Sequence, residues 1–260
     1  MTTERFEFAV QLAEKAGKFA HEYFKDFTSL NLESKGHQDM VSEADRDTEL
    51  FVRDALAKAF PNDGIFGEEY EPVEGKTGYT WVIDPIDGTA NFVTGIPQWC
   101  VIIACVKDGE KEIAAIYDPC HQEMYAARKG AGATLNDKPI SVSKSQSLSS
   151  GSLGFGFNGR SDSEQTAKAV EALLAKGAIF FRNASGGLML SYVAAGRLIG
   201  YMEEHMNSYD CLAGLLLIEE AGGRVAPLDK NTMIAHGGRI TAAAPGIYED
   251  LLAISQQVYK

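Results

Sequence analysis

The chain has few of the features that mark a disulfide-rich, zinc-binding or membrane protein. Its 260 residues include four cysteines, Cys100, Cys105, Cys120 and Cys211. No two of them have C-x-x-C spacing, and none has a histidine at the spacing of a zinc ligand. No disulfide framework, zinc site or redox pair is therefore predicted, and the cysteines are expected to be buried free thiols in a reducing compartment. The N-terminal segment lacks the basic and apolar regions of a signal peptide, and the longest apolar run, residues 99–106, is too short to span a bilayer. These features predict a cytoplasmic protein.

Positive charge is scarce as well. The sequence has 24 Lys and Arg residues against 36 Asp and Glu residues, which gives a formal net charge of −12, and it has no basic run. Nucleic acids and anionic membranes are repelled by such a charge, so neither is an expected partner. A small anionic substrate would need local positive charge, and divalent cations held by some of the surplus carboxylates would supply it.

The apolar pattern predicts alternating helices and strands. A stripe from Phe6 to Phe27 indicates a core-facing helix of about six turns. A second helix is predicted to begin at Ser42, with Asp45 as the returning carboxylate of a capping box, and to end before Pro61. Further strands and helices are expected over residues 64–67, 79–83, 101–106, 113–117, 163–176, 178–182, 187–196 and 209–221.

A serine-rich stretch over residues 141–150 divides the chain. It has low hydrophobicity and little periodicity, as is typical of a linker. We therefore expect an N-terminal α+β domain over residues 1–143 and a C-terminal α/β domain over residues 144–260.

Acidic residues stand at three places where neither a core nor a loop requires them. Glu68 and Glu69 follow one predicted strand directly, and Asp84 and Asp87 follow another. Asp210 lies at the start of the predicted buried helix over residues 209–221.

The middle segment has the composition of a metal site. Asp84 and Asp87 lie three residues apart, and Pro85 is predicted to force a tight turn between them. Across such a turn both carboxylates and the carbonyl of Ile86 can converge on one point. This set offers only oxygen atoms, which are the ligands that Mg²⁺ and other hard cations prefer.

Each acidic segment also has an ordinary explanation. Asp210 could be a helix cap, Asp84 and Asp87 could be turn residues, and the pair of Glu68 and Glu69 could be solvated. The order of strand, Asp-Pro-Ile-Asp-Gly-Thr and helix is not explained by turn chemistry. Two carboxylates at the end of one buried strand repel each other unless a cation lies between them, so the combination favours a metal site.

The acidic segments belong to a set of motifs that covers most of the chain. The set resembles the inositol monophosphatase family of magnesium-dependent, lithium-inhibited phosphatases. Its members are Lys35-Gly36-x-x-Asp39-x-Val41-Ser42-x-x-Asp45, Gly67-Glu68-Glu69, Asp84-Pro85-Ile86-Asp87-Gly88-Thr89, and Asp210 ahead of Glu220-Ala221-Gly222-Gly223. The resemblance implies an α+β fold, a layered α-β-α-β-α sandwich of the inositol monophosphatase and fructose-1,6-bisphosphatase type, and a homodimer.

The resemblance also implies two to three Mg²⁺ ions per site. Glu68, Asp84 and the carbonyl of Ile86 would hold the first ion. Asp84 would bridge to a second ion, which Asp87 and Asp210 would also hold. Glu68 would contribute to a weaker third ion, and Lys35 is expected near the water of that ion or as a solvated surface residue.

Three residues are implied to be catalytic: Glu68, Asp84 and Thr89. The backbone N–H groups of Gly88 and Thr89 would bind the phosphate at the start of a helix. A metal-bound water, oriented by Glu68 and the Thr89 hydroxyl, would attack phosphorus in line, and no covalent intermediate is required.

The leaving group of the substrate would contact five residues, by the same resemblance: Asp87, Ala184, Ser185, Glu203 and Asp210. Ala184 stands where the family usually has glycine, and Tyr209 stands where tryptophan is common before the late aspartate. These departures leave the metal ligands complete and the identity of the substrate open.

The resemblance predicts a Mg²⁺-dependent phosphomonoesterase that acts on inositol 1-phosphate or a similar small polyol phosphate. Histidinol phosphate, fructose 1,6-bisphosphate and adenosine 3′,5′-bisphosphate are alternative substrates for the same chemistry. An alternative of another class is a non-catalytic, metal-binding regulatory protein. Such a protein is expected to lack at least one of Glu68, Asp84, Asp87, Thr89 and Asp210, whereas this chain has all five.

Overall fold

The computed structural model describes the backbone of residues 2–30, 32–36 and 39–259, and the side chains of residues 2–28, 30 and 42–259. The helices are α1 (Thr2–Phe24), α2 (Glu43–Ala59), α3 (Thr89–Phe92), α4 (Ser163–Ala175), α5 (Gly186–Ala194), α6 (Ser208–Glu220), α7 (Met233–His236) and α8 (Tyr248–Val258). The first strands are β1 (Leu32–Gly36), β2 (Asp39–Ser42), β3 (Gly64–Gly67), β4 (Tyr79–Asp87), β5 (Cys100–Lys107), β6 (Glu110–Asp118) and β7 (Glu123–Arg128). The later strands are β8 (Ala133–Leu135), β9 (Lys138–Pro139), β10 (Ser152–Phe155), β11 (Ile179–Phe181), β12 (Gly200–Met206), β13 (Arg224–Val225) and β14 (Gly238–Ala243).

Two large sheets dominate the structure. The first has seven strands in the order β3-β4-β5-β6-β7-β8-β9, and all its pairs are antiparallel except β3 with β4. The second has five strands in the order β11-β10-β12-β14-β13. Strands β1 and β2 form a separate antiparallel pair that leads into α2.

In the described part of the chain, three apolar cores hold five layers together, because the middle core surrounds α5 and α6 on both sides. Helices α1 and α2 cover one face of the seven-stranded sheet, and α5 and α6 lie between the two sheets. Helices α4 and α8 cover the outer face of the five-stranded sheet. Strand β5 shows how the sequence produces this arrangement, because its alternate side chains enter different cores. Ile102 joins the core between the sheets and Ile103 joins the core under α1 and α2. The layered α+β fold that the family resemblance implied is confirmed.

Most predicted elements are present close to their expected bounds. The capping box of α2 forms as predicted, with the Ser42 backbone N–H donating to Asp45 Oδ2 at 2.8 Å. The four cysteines are free thiols, three of them buried and Cys120 half-buried. No described helix is long and apolar enough to cross a membrane.

The serine-rich stretch connects the two large sheets, because β9 of the first sheet precedes it and β10 of the second sheet follows it. The stretch ends in a short 3₁₀ helix, Leu148–Ser150. The core between the sheets draws on both parts of the chain, with strands from the first sheet and helices α5 and α6 from the second half. The division into two domains at residue 143 stays a prediction.

Candidate active site

Three carboxylates meet where β4 ends beneath the first turn of α6. One oxygen from each of Asp84, Asp87 and Asp210 lies within 4.8 Å of the others. Asp84 is 1% exposed and Asp87 is 8% exposed, so two of the three are buried. We refer to these three residues as the aspartate cluster.

A strand irregularity, and not a tight turn, brings Asp84 and Asp87 together. The predicted turn at Pro85 is wrong, because β4 continues to Asp87 and Asp87 still pairs with Cys100 of β5. Residues three apart on a regular strand face opposite sides, but the register shifts between Asp84 and Asp87. Proline has no N–H to donate, which suits it to an interrupted stretch of the ladder. The shift therefore lets both carboxylates reach one point.

Asp87 is fixed by the N-terminus of α5. Ser185 Oγ donates to Asp87 Oδ2 at 2.5 Å, and the Gly187 N–H donates to the same oxygen at 2.7 Å. The Gly186 N–H donates to Asp87 Oδ1 at 3.2 Å. Ser185 is fully buried and also caps α5 by accepting the N–H of Leu188. Oδ2 accepts two of these hydrogen bonds and Oδ1 accepts one, so the bonds orient Asp87 and leave a lone pair of Oδ1 for a cation.

Asp210 belongs both to a helix cap and to the aspartate cluster. It is the third residue of α6, and its Oδ2 accepts the Asn207 N–H at 3.1 Å in a capping box. A role of Asp210 as a helix cap is therefore compatible with a role as a metal ligand. On β4, Asp84 Oδ1 accepts the Ile86 N–H at 3.0 Å, which sets the direction of that side chain.

The aspartate cluster needs a positive partner. Burial raises the pKa of Asp84 well above its usual range, and the charges of Glu68, Asp87 and Asp210 raise it further. Burial and the Asp87 charge raise the pKa of Asp210 to about 7. Three carboxylates this close together, two of them buried, cannot all be ionised without a counter-charge, and an all-oxygen set fits a hard divalent cation. The residues present therefore fit Mg²⁺.

Glu68 lies next to the aspartate cluster and outside it. It follows β3, and its charge is close enough to raise the pKa of Asp84. Among the described side chains, the group of carboxylates that meets within 4.8 Å does not include it. Its role as a ligand stays a prediction.

Gly88 and Thr89 form the junction between β4 and α3, as predicted. Gly88 has a left-handed backbone with φ of 99°, and a Cβ at this position would lie 2.9 Å from the carbonyl oxygen of Gln98. Glycine is therefore required at this position. Thr89 Oγ1 lies 3.1 Å from Asp45 Oδ1 and 3.0 Å from the carbonyl oxygen of Ile86.

Sequence reasoning missed the second contact of Asp45. Its Oδ2 serves the capping box of α2 while its Oδ1 accepts the Thr89 hydroxyl, so one carboxylate joins α2 to the end of β4. Burial raises the pKa of Asp45 to about 6. The signal was present in the sequence, because Asp45 ends the N-terminal motif that carried the family resemblance.

Glu203 lies on β12 and is buried, with 6% of its surface exposed. Tyr201 Oη donates to Glu203 Oε2 at 2.5 Å, and Asn158 Nδ2 donates to Oε1 at 3.3 Å. Burial raises the pKa of Glu203 to about 7, and the charge of Asp210 contributes to the rise. Asn158 belongs to the loop after β10 and had no signal in the sequence.

The expected leaving-group residue Ala184 has an unusual backbone. Its φ is 61°, in the left-handed region that favours glycine. A glycine would adopt this backbone conformation with less strain than alanine. The side chain of Lys35 lies outside the described part of the chain.

Layered sheets with a buried acidic cluster at the end of one strand define the class: an α+β protein with a centre suited to divalent cations. Residues 1–260 match the model of the Inositol monophosphatase family. The chain belongs to the inositol monophosphatase family, a family of metal-dependent phosphatases that act on small phosphate esters. The predicted family and fold are thereby confirmed.

Individual relatives carry two kinds of name. An inositol-1-monophosphatase of Rhizobium meliloti (strain 1021) is 39% identical over 82% of this chain and 82% of that protein. A protein of Xylella fastidiosa (strain Temecula1) named Nus factor SuhB is 38% identical over 83% of this chain and 79% of that protein. The crystal structure of the extragenic suppressor protein suhB from Bartonella henselae has a TM-score of 0.90 and 31% identity, covering 96% of this chain and 98% of that chain.

Proposed function

We propose that the chain is a Mg²⁺-dependent phosphomonoesterase that hydrolyses inositol 1-phosphate or a similar small polyol phosphate. The aspartate cluster carries this proposal, since three carboxylates within 4.8 Å occur at the end of β4 in a member of a phosphatase family. The name inositol-1-monophosphatase, borne by the relative from Rhizobium meliloti, supports the choice of substrate.

We propose two to three Mg²⁺ ions per site, held by Glu68, Asp84, the carbonyl of Ile86, Asp87 and Asp210. Bound there, Mg²⁺ would supply a water of lowered pKa and a positive charge for the leaving oxygen. The chain itself sets the direction of the ligands. The N-terminus of α5 orients Asp87, and the cap of α6 orients Asp210.

Thr89 has a position suited to guiding the attacking water. When its hydroxyl hydrogen points to Asp45, its oxygen can accept a hydrogen from a water on the other side. With Glu68 it would hold that water in line with phosphorus. The N–H groups of Gly88 and Thr89 would bind the phosphate oxygens, and Asp84 completes the set of three catalytic residues.

Glu203, Asp87 and Asp210 would accept hydroxyl groups of the leaving alcohol, with Ala184 and Ser185 beside them. Replacement of Glu203 by alanine is expected to raise KM for inositol 1-phosphate by about tenfold, with a smaller change in kcat, because it removes a contact remote from phosphorus. Steady-state kinetics with several phosphate esters measures both constants.

The neighbouring Glu204 offers a matched control for this variant. It is half-buried and accepts the Asp162 N–H at 3.0 Å, outside the contacts of Glu203. Glu204→Ala is expected to leave KM unchanged. Equal losses for Glu203→Ala on every ester, with kcat falling as much as kcat/KM, would contradict a role in substrate choice.

The stability of the metal-free protein should increase as the pH falls from 8 to 6. Asp210 and Glu203 have folded pKa values of about 7, above their unfolded values, so the folded state binds more protons in this range. A difference of one pKa unit corresponds to about 1.4 kcal/mol. We take this value as the minimum gain in the free energy of unfolding between pH 8 and pH 6.

Adding Mg²⁺ distinguishes protonation of the aspartate cluster from a general effect of the chain's negative charge on stability. Because protons compete with the cation for the same carboxylates, Mg²⁺ should raise the thermal midpoint more at pH 8 than at pH 6. Thermal denaturation in EDTA and in Mg²⁺ at both pH values measures this. An equal rise at the two pH values would count against the cluster as the site of both effects.

Several further properties are proposed from the sequence and the family together. We propose that the enzyme acts in the cytoplasm as a homodimer of two-domain subunits, divided at residue 143. We also propose inhibition by lithium, and no nucleic-acid or membrane partner.

A regulatory role is a second candidate function. The relative from Xylella fastidiosa has nearly the same identity as the one from Rhizobium meliloti and is named Nus factor SuhB. A chain with that role could act through protein contacts without turnover. The retention of all five proposed metal ligands favours the enzyme.

The experiment that tests the proposal is phosphate release from a panel of esters. The panel contains inositol 1-phosphate, histidinol phosphate, fructose 1,6-bisphosphate and adenosine 3′,5′-bisphosphate, each in Mg²⁺. The highest kcat/KM is expected for inositol 1-phosphate. A higher value for another ester would assign that substrate instead, and no release from any ester by folded protein would favour the regulatory role.

A further inference from the structure

An ion pair on α2 holds the segment that carries Glu68. Glu49 is fully buried, and Arg53, one turn later, donates from Nε to Glu49 Oε1 at 2.6 Å. The other carboxylate oxygen of Glu49 accepts the backbone N–H of Glu69 at 2.7 Å. The residue immediately after Glu68 is thus bonded directly to the helix.

Arg53 extends the same attachment along the chain. Its two terminal nitrogens donate to backbone carbonyls, at 2.9 Å to Tyr70 and at 3.1 Å to Glu71. The ladder between β3 and β4 ends at Gly67, so the side chains of α2 take over where the strand stops. On the other side of Glu68, a Cβ at Gly67 would overlap the Glu49 carboxylate. The backbone is therefore fitted to Glu49 on both sides of Glu68.

The first turn of α2 is tied to the other side of the site. Asp45 lies four residues before Glu49, on the same helix face, and accepts the Thr89 hydroxyl at 3.1 Å. Helix α2 thus joins Thr89 and the segment of Glu68 through side chains on one rigid element. The separation between these two parts of the site is set by one helical turn.

We infer that Glu49 and Arg53 are positioning residues that hold Glu68 at the aspartate cluster and thereby set the affinity for Mg²⁺. This inference rests on the proposed function. Two apolar side chains in place of Glu49 and Arg53 would pack α2 against the sheet without the free-energy cost of removing two charges from water. A buried ion pair therefore contributes little net stability. Two apolar side chains could not supply an acceptor for the Glu69 N–H or donors for two carbonyls. The pair therefore acts on the path of the backbone around Glu68.

The decisive variant is Arg53→Lys. Lysine keeps the positive charge, so any simple effect of charge on cation binding stays the same. It lacks the planar fork that reaches Glu49 and two carbonyls together. We expect the dissociation constant for Mg²⁺ to rise by about tenfold, the size found when residues that orient metal ligands are replaced. Calorimetric titration of the protein with Mg²⁺ alone measures it.

Arg5→Lys is the matched control. Arg5 forms the other described buried arginine pair, with Asp63 at 2.8 Å, near Tyr79 at the opposite end of β4 from the aspartate cluster. Both substitutions should lower the thermal midpoint. Only Arg53→Lys should weaken Mg²⁺ binding, so a loss shared by both variants would show that it follows from stability and would overturn the inference.

Hydrogen exchange provides a readout that does not depend on the metal. Amides over residues 67–71 should exchange faster in Arg53→Lys and at the wild-type rate in Arg5→Lys. At saturating Mg²⁺, KM for the phosphate ester should change by less than about threefold, because the substrate contacts lie on other elements. Glu49→Gln, which retains an acceptor of the same size for the Glu69 N–H, should bind Mg²⁺ more tightly than Glu49→Ala.

The outcomes separate the two proposals. If the wild-type protein and Arg53→Lys bind Mg²⁺ with equal affinity, the positioning role is overturned and the proposed function still stands. Wild-type protein that binds no Mg²⁺ would overturn both. Weaker binding in Arg53→Lys alone, with faster exchange over residues 67–71, is the predicted result.

Discussion

Replacement of Asp84 by asparagine is expected to abolish turnover, with a loss of at least about a thousandfold in kcat. Asp84 lies at the centre of the proposed site, 1% exposed, and feels the charges of Glu68, Asp87 and Asp210. Asparagine keeps the shape and the oxygen that accepts the Ile86 N–H. It removes the negative charge that would bridge two cations. Phosphate release at saturating Mg²⁺ measures the effect.

The same variant should fold at least as well as the wild type when metal is absent. Asparagine removes one of three carboxylates whose charges repel each other when they ionise, so the thermal midpoint in EDTA should not fall. Near-normal turnover by Asp84→Asn would contradict the two-metal account. A collapse of the midpoint would show that the carboxylate has a structural role instead.

The largest loss of stability is expected for Asp63→Ala, at about 3–5 kcal/mol of unfolding free energy. Asp63 is buried and accepts from Arg5 at 2.8 and 3.0 Å, from Thr77 at 2.6 Å and from Trp81 at 3.1 Å. The substitution leaves the Arg5 guanidinium without its carboxylate and the Trp81 N–H without an acceptor. Denaturant titration measures the loss.

The contribution of Asp63 should also depend on pH in a definite direction. Burial raises its pKa, but the hydrogen bonds from Arg5, Thr77 and Trp81 outweigh burial and hold the pKa below its usual value. The stabilisation is therefore present above the unfolded pKa of about 3.9 and is lost as the pH falls through the folded value. The difference between wild type and Asp63→Ala should shrink in acid.

Glu14→Ala serves as the control for Asp63→Ala. Glu14 pairs with Lys18 at 2.5 Å on the exposed face of α1, and such a surface pair is worth about 0.5 kcal/mol or less. A loss at Asp63 no larger than the loss at Glu14 would contradict the structural role of the buried network.

Local signals in the sequence predicted most of the helices and strands, and the family resemblance implied their layered arrangement. The capping pair of Ser42 and Asp45 fixed the start of α2, and Pro61 marked its end. The apolar runs over residues 64–67 and 101–106 became β3 and β5 with small changes at their ends. These features depend on neighbours in the chain, which the sequence shows directly.

The geometry around Pro85 could not be predicted in the same way. A proline after Asp84 suggested a turn, but pairing of Asp84 and Asp87 with β5 holds the segment in the sheet, and the register shifts instead. The choice depends on a strand that begins at Cys100, and local propensity does not contain that information.

The partners of the predicted site residues were also beyond local reasoning. The hydrogen bond from Thr89 to Asp45 spans 44 positions, and the bond from Ser185 to Asp87 spans 98. The family resemblance identified the residues of the site but not the hydrogen-bond partners that orient them. Glu49 and Arg53 carried no motif, and their role follows from contacts with the segment after β3.

The measurement that tests the central claim most directly is phosphate release from inositol 1-phosphate by the wild-type protein as Mg²⁺ is increased from zero. The account predicts no release in EDTA, a rise that saturates with Mg²⁺, and loss of the response in Asp84→Asn. Release that is unaffected by EDTA, or no release from any ester by folded protein that binds Mg²⁺, would contradict it.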